Sequence, residues 1–147
     1  MIRISKKIEY ALMGLLYMAR KNLNELTSAK ELSQAYNIPP ELMGKVLQNL
    51  ARFEIIESVQ GVKGGYRLRQ PVNRIKLSDV IAAVDGPLKI VNCFKVQNSF
   101  ECHQHFQCTI KNPMEFIQRK LTVFFNNVSL QDIENDMLVR SEPEQRQ

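Results

Sequence analysis

The chain has 147 residues, 44% of them apolar and 24% charged, the proportions of an ordinary soluble globular protein. No stretch approaches the length of a membrane span, Glu9 and Tyr10 interrupt the only opening that resembles a signal peptide, and a net charge of +5 favours an anionic partner such as nucleic acid. Three cysteines are an odd number, which argues against a secreted disulfide framework and for the reducing cytoplasm, where clustered thiols serve metal or redox chemistry.

Ser5 is placed to cap a first helix reaching about Lys21, with Ile8, Leu12, Leu15, Leu16 and Ala19 as its apolar stripe. Thr27 or Ser28 starts a short second helix over residues 29–36, with Leu32 and Ala35 expected inward. Asn37-Ile38-Pro39-Pro40 is a tight break, because proline ends one helix and is welcome in the first turn of the next. A third helix over residues 41–53 is expected to bury Met43, Val46, Leu47 and Leu50. A hairpin follows, with strands near residues 55–59 and 66–69 joined by a turn whose glycines allow positive φ. Ser78 is the expected cap of a fourth helix over residues 79–84, closed by Asp85-Gly86-Pro87. Residues 88–109 show no period and hold all three cysteines. From Ile110 onward, Met114, Ile117, Leu121, Phe124 and Val128 recur at alternating spacings of four and three, a narrow seam typical of helix-on-helix pairing and so of a homodimer. The residues after Leu138 are rich in Glu, Gln and Arg and are expected to be unstructured.

The expected fold class is mainly α with a small β-hairpin: a winged helix-turn-helix plus a long dimerisation helix. The corresponding division is a DNA-binding domain over residues 1–87, a cysteine loop over 88–109, a dimerisation region over 110–138 and a tail over 139–147. In such a fold the third helix enters the major groove of double-stranded DNA. Lys45, Gln48, Asn49 and Arg52 lie mainly opposite the apolar face of that helix, and are long and polar enough to read base edges. The wing carries Lys63, Gly64, Gly65, Tyr66 and Arg67, placed to meet phosphates or the minor groove. Free N–H groups at the start of the second helix, near Ser28, form a phosphate site to which Lys30 adds charge.

Cys93, Cys102 and Cys108 are separated by eight and five residues. Thiolates are soft ligands for iron–sulfur clusters and zinc. Structural zinc sites prefer ligands two to four residues apart, a spacing missing here, although His103 and His105 share the loop. A thiol switch without metal is the remaining reading. An enzyme with a cysteine nucleophile is not expected: the histidines sit one and three residues from Cys102 and no third group orients them.

The run Ile38-Pro39-Pro40-Glu41-Leu42-Met43-Gly44-Lys45-Val46-Leu47-Gln48-Asn49-Leu50, the wing Ser58-Val59-Gln60-Gly61-Val62-Lys63-Gly64-Gly65-Tyr66, and Leu77-Ser78-Asp79-Val80-Ile81 with Asp85-Gly86-Pro87-Leu88 carry a family resemblance. Over about residues 1–135 the chain resembles the IscR/NsrR/RirA-type family of winged-helix iron–sulfur transcription regulators. That resemblance implies a homodimer that binds operator DNA, usually as a repressor. It implies an iron–sulfur cluster, 2Fe–2S or 4Fe–4S, held by Cys93, Cys102 and Cys108 and sensing iron, nitric oxide or redox state. Glu9 falls near the position from which some relatives supply a carboxylate ligand across the dimer. Three positions depart from the pattern. Gln60 stands where the wing usually has arginine. Gly44 and Lys111 stand where the iron–sulfur-assembly regulator has a glutamate and a ligand histidine.

Overall fold

The computed structural model of the chain describes residues 3–91, 102–104 and 106–141. Ser5 caps α1 (Lys6–Ala19), its hydroxyl accepting the Ile8 N–H at 3.4 Å. Ile8, Leu15 and Leu16 of the expected stripe are buried, and Leu12 packs at the edge of the core. Ser28 likewise caps α2 (Ala29–Tyr36), accepting the Glu31 N–H at 3.0 Å. Ala35, expected inward, is exposed. So short a helix covers one narrow stripe, and its register turns Leu32 and Ser33 to the core instead.

Asn37 takes a left-handed conformation with φ 51°, which suits asparagine better than most residues. The reversal returns the Ile38 N–H to the Ser33 carbonyl at 3.1 Å and buries Ile38 in the turn. Pro40 then opens α3 (Pro40–Arg52), where its missing N–H costs nothing. Met43, Val46, Leu47 and Leu50 are buried, as the spacing requires. The helix ends in a Schellman closure, with Ile55 N–H on the Leu50 carbonyl at 3.1 Å and Glu54 N–H on the Ala51 carbonyl at 3.0 Å. Glu54 holds φ 60° at the position glycine usually fills.

Strands β1 (Ile56–Val59) and β2 (Gly65–Leu68) pair antiparallel, with Glu57 opposite Arg67 and Ser58 opposite Tyr66. The outer edge of β2 is also occupied. Thr27 and Tyr66 exchange two backbone hydrogen bonds of 2.8 Å, so the hairpin is fastened to the residue before the α2 cap. Thr27 is fully buried there. Helix α4 (Leu77–Asp85) starts earlier than expected. The reason is Asp79, whose carboxylate accepts the Lys76 N–H at 3.3 Å, so Asp79 and not Ser78 organises the first turn.

The apolar seam forms α5 (Lys111–Asn127), but it does not run on as one helix. Val128 is extended, and Ser129 caps α6 (Leu130–Ser141). The Ser129 N–H and hydroxyl each donate to the Asp132 carboxylate at 2.8 Å, and the Asp132 N–H returns to the Ser129 hydroxyl at 3.1 Å. This reciprocal cap holds the Asp132 carboxyl below the usual carboxylate range. Helix α6 therefore continues three residues into the segment expected as tail. Its first residue, Leu130, is buried with α1, α3 and α4 in the single core, and its N–H donates to the Ile75 carbonyl at 2.8 Å. Helix α5 buries no residue of its own; Phe125 touches the core, while Ile110, Phe116, Ile117, Val123 and Phe124 stay exposed. No helix among the described residues is long and apolar enough to cross a membrane.

Candidate nucleic-acid interface

Helices α2 and α3 meet at the tight Asn37 turn, and the wing stands beside them on its Thr27 fastening. Burying Met43, Val46, Leu47 and Leu50 leaves the opposite face of α3 to Glu41, Lys45, Gln48 and Arg52, all exposed, with Asn49 half-buried at its flank. Two cations and two amides thus share the region that a groove-reading helix must present. Lys30, the second residue of α2, is exposed in its first turn. The Ser28 hydroxyl is occupied by its cap, so any anion there would meet backbone N–H groups.

Within the wing, Lys63 is fully on the surface beside the exposed Val62. Tyr66 is half-buried against the core, and Arg67 is ion-paired with Glu57 directly across the hairpin. Those two residues therefore shape the wing, whereas Lys63 is its projecting cation. The glycines serve two needs. Gly61 has φ +131°, but Gly64 and Gly65 are required by close approach: a Cβ on Gly64 would lie 2.5 Å from the Val59 carbonyl oxygen, and one on Gly65 2.9 Å from that of Thr27. Gly64→Ala is therefore expected to misplace the wing tip while leaving the helical core folded. Circular dichroism should stay native while affinity for duplex DNA falls about tenfold; unchanged binding would remove the wing from the interface.

Behind this face, α1 is locked to α2. Glu31 accepts from the Lys21 ammonium and the Tyr17 hydroxyl, each at 2.7 Å, and Tyr36 packs edge-on against Tyr17. The Lys21 hydrogen bond holds the Glu31 carboxyl below the usual carboxylate range. None of these contacts was visible in the spacing of the sequence.

The sensing residues are less gathered. Cys102 and Cys108 are free, half-buried thiols, and Cys102 donates weakly to the Gln104 side-chain oxygen at 3.7 Å. Cys93 and His105 lie outside the described residues. Glu9 sits in the first turn of α1, paired with Lys6 at 2.7 Å. Among the described residues no three His, Cys, Asp or Glu side chains converge on one point. Sequence reasoning missed Gln118. From α5 its amide donates to the Leu88 carbonyl at 2.6 Å and accepts the Ile90 N–H at 3.0 Å, pinning the chain that leads toward Cys93.

Residues 4–136 match the Rrf2 family, described as an iron-dependent transcriptional regulator. The chain belongs to the Rrf2 family. It is accordingly a transcription regulator and not an enzyme, and its fold is the mainly helical winged helix expected. Among solved structures, CymR (YrzC), the global cysteine regulator of B. subtilis, is 20% identical with a TM-score of 0.66, covering 90% of this chain and 96% of its own. The T. potens IscR is 19% identical with a TM-score of 0.69, covering 92% and 88%. The oxidized form of Staphylococcus aureus CymR is 22% identical with a TM-score of 0.67, covering 90% and 95%. These likenesses show that the overall fold is shared.

Proposed function

We propose that the protein binds operator DNA in the cytoplasm as a homodimeric repressor and that Cys93, Cys102 and Cys108 govern this binding through an iron–sulfur cluster. The observation that carries the DNA reading is the exposed Lys45, Gln48 and Arg52 face of α3 beside a wing tipped by Lys63. Three thiols with Glu9 are a suitable soft-plus-labile donor set for a cluster, and two of those thiols are free in the described structure. When bound, such a group supplies sensitivity to iron, nitric oxide or oxidant. The chain's own residues carry the signal onward. Gln118 ties residues 88 and 90 to α5, and α5 is joined to the winged core through Val128 and Leu130. Rearrangement at the cysteines thereby turns one recognition helix relative to the other, whose half-sites lie about one DNA turn, ~34 Å, apart.

A second reading, a thiol switch without a cluster, is favoured by the free and partly accessible Cys102 and Cys108 and by the likeness to a regulator solved in an oxidized form. Anaerobic purification, an absorption spectrum, and iron and sulfide analysis separate the two. A visible chromophore that disappears in Cys93→Ala, with DNA affinity changing when it is stripped, is the expected result. A protein that stays colourless after reconstitution, yet changes its DNA affinity on oxidation, sinks the cluster reading and establishes the thiol switch.

A further inference from the structure

The recognition helix contains a residue that the fold does not need. Of the chain's six glycines, Gly61 and Gly86 hold positive φ, Gly64 and Gly65 meet neighbouring carbonyls, and Gly14 packs beneath Leu32 and Leu47. Gly44 differs. It lies inside α3 at ordinary helical φ, and a Cβ placed on it would meet, beyond its chain neighbours and the local helix backbone, no heavy atom of the described residues within 4 Å. Glycine there is intrinsically worse than alanine, because it loses more backbone freedom on folding and offers no side chain in return. Among the described residues no close approach requires glycine there to offset that loss.

Its position is informative. Gly44 lies one helical turn from Glu41 and from Gln48, the positions three before and four after it, and both are exposed. The bare backbone is therefore a notch in the groove-facing region of α3, bordered by Glu41 and by Lys45 and Gln48, the latter two already assigned to base reading. A missing side chain allows another molecule to come closer to the helix axis than any other residue permits, the recurrent use of glycine where backbone meets ligand.

We infer that Gly44 is a specificity-determining position at which a base edge in the major groove packs directly on the α3 backbone. This inference rests on the DNA-binding reading above and deepens it. The notch selects the base pair whose edge fills it, and a methyl group at position 44 pushes the duplex away from Lys45 and Gln48 as well. Fold stability and sequence recognition are thus opposed at one residue.

Duplexes selected by the wild-type protein from a randomised library are the probe, with random-sequence duplex as the control. Gly44→Ala is expected to melt about 2–4 °C higher. It should bind the selected duplex about tenfold more weakly and random duplex as the wild type does. Equal or tighter binding to the selected duplex overturns the inference, as does an equal loss on both duplexes, since the approach is then not to bases. A lower melting temperature overturns it too, by giving Gly44 an internal role. Failure of the wild type to select any sequence is read before substitution, and removes the DNA reading itself along with this inference.

Discussion

Leu130→Ala is expected to destabilise the protein by about 2–5 kcal/mol, the usual cost of emptying a fully buried leucine site. Leu130 is 1% exposed, although it opens a C-terminal helix whose other described residues are largely outside the core. Its side chain packs in the same cluster as Ile75, Leu77 and Val80, and its N–H is spent on the Ile75 carbonyl. The neighbouring Leu77 N–H donates to Val128 at 2.8 Å, so the cavity would open beside a two-sided backbone bridge and could collapse little. Set against the ~5–15 kcal/mol that holds a typical domain together, this loss is large. Urea unfolding should show a lower midpoint at unchanged slope. A cost under about 1 kcal/mol would mean that α6 is loosely docked and contributes little to the core.

The second large effect concerns assembly. Ile110, Ile117 and Phe124 of the expected seam are 57%, 39% and 59% exposed, and Phe116 and Val123 widen the apolar face. Phe125, by contrast, turns to the core of its own chain. Phe124→Asp therefore places a charge on the proposed dimer face, and within its own chain gives up only the edge-on ring contact with Phe125. It is expected to yield a folded monomer in sedimentation, with operator affinity at least about a hundredfold lower because the second half-site is no longer tethered to the first. A dimer that persists with full affinity would move the interface elsewhere. Partial dissociation at high dilution would fit a weaker version of the same contact.

What the sequence revealed followed its periodicity. The buried face of α3 is correct to the residue because a strong 3.6-residue stripe has one solution. In α1, Ile8, Leu15 and Leu16 are buried as expected, Leu12 and Ala19 only half so, and the small or flexible Ala11, Gly14 and Met18 complete the face unforeseen. Ala35 misled because α2 is too short for a stripe to be distinguished from chance. The end of the seam misled in another way: Val128 continues the spacing but is already extended, because Ser129 and Asp132, a readable cap pair, start a new helix immediately after it. Ser78 looked like a cap by type, yet Asp79 does that work from one position later. The polar face of α3 was legible as the residue of subtraction from its core. The Thr27–Tyr66 bridge, the Glu31 cluster and the Gln118 amide were not, since each joins segments whose proximity no local pattern encodes. Gly64 was correctly placed in the turn, whereas Gly65, expected there, already opens β2; both are needed for a reason of crowding instead of dihedral freedom.

The bridge between residues 75–77 and 128–130 also orders events during synthesis. Ile75 and Val80 leave the ribosome with their covering residue, Leu130, still untranslated. At about 5–20 residues per second the nascent chain carries that uncovered apolar surface for several seconds. The helix-turn-helix and hairpin are local and can form meanwhile, but the core closes only when the last helix arrives. Chains stalled or cut between the fourth helix and residue 130 should thus emerge sticky and become chaperone or protease substrates, a vulnerability confined to a brief window of the protein's life.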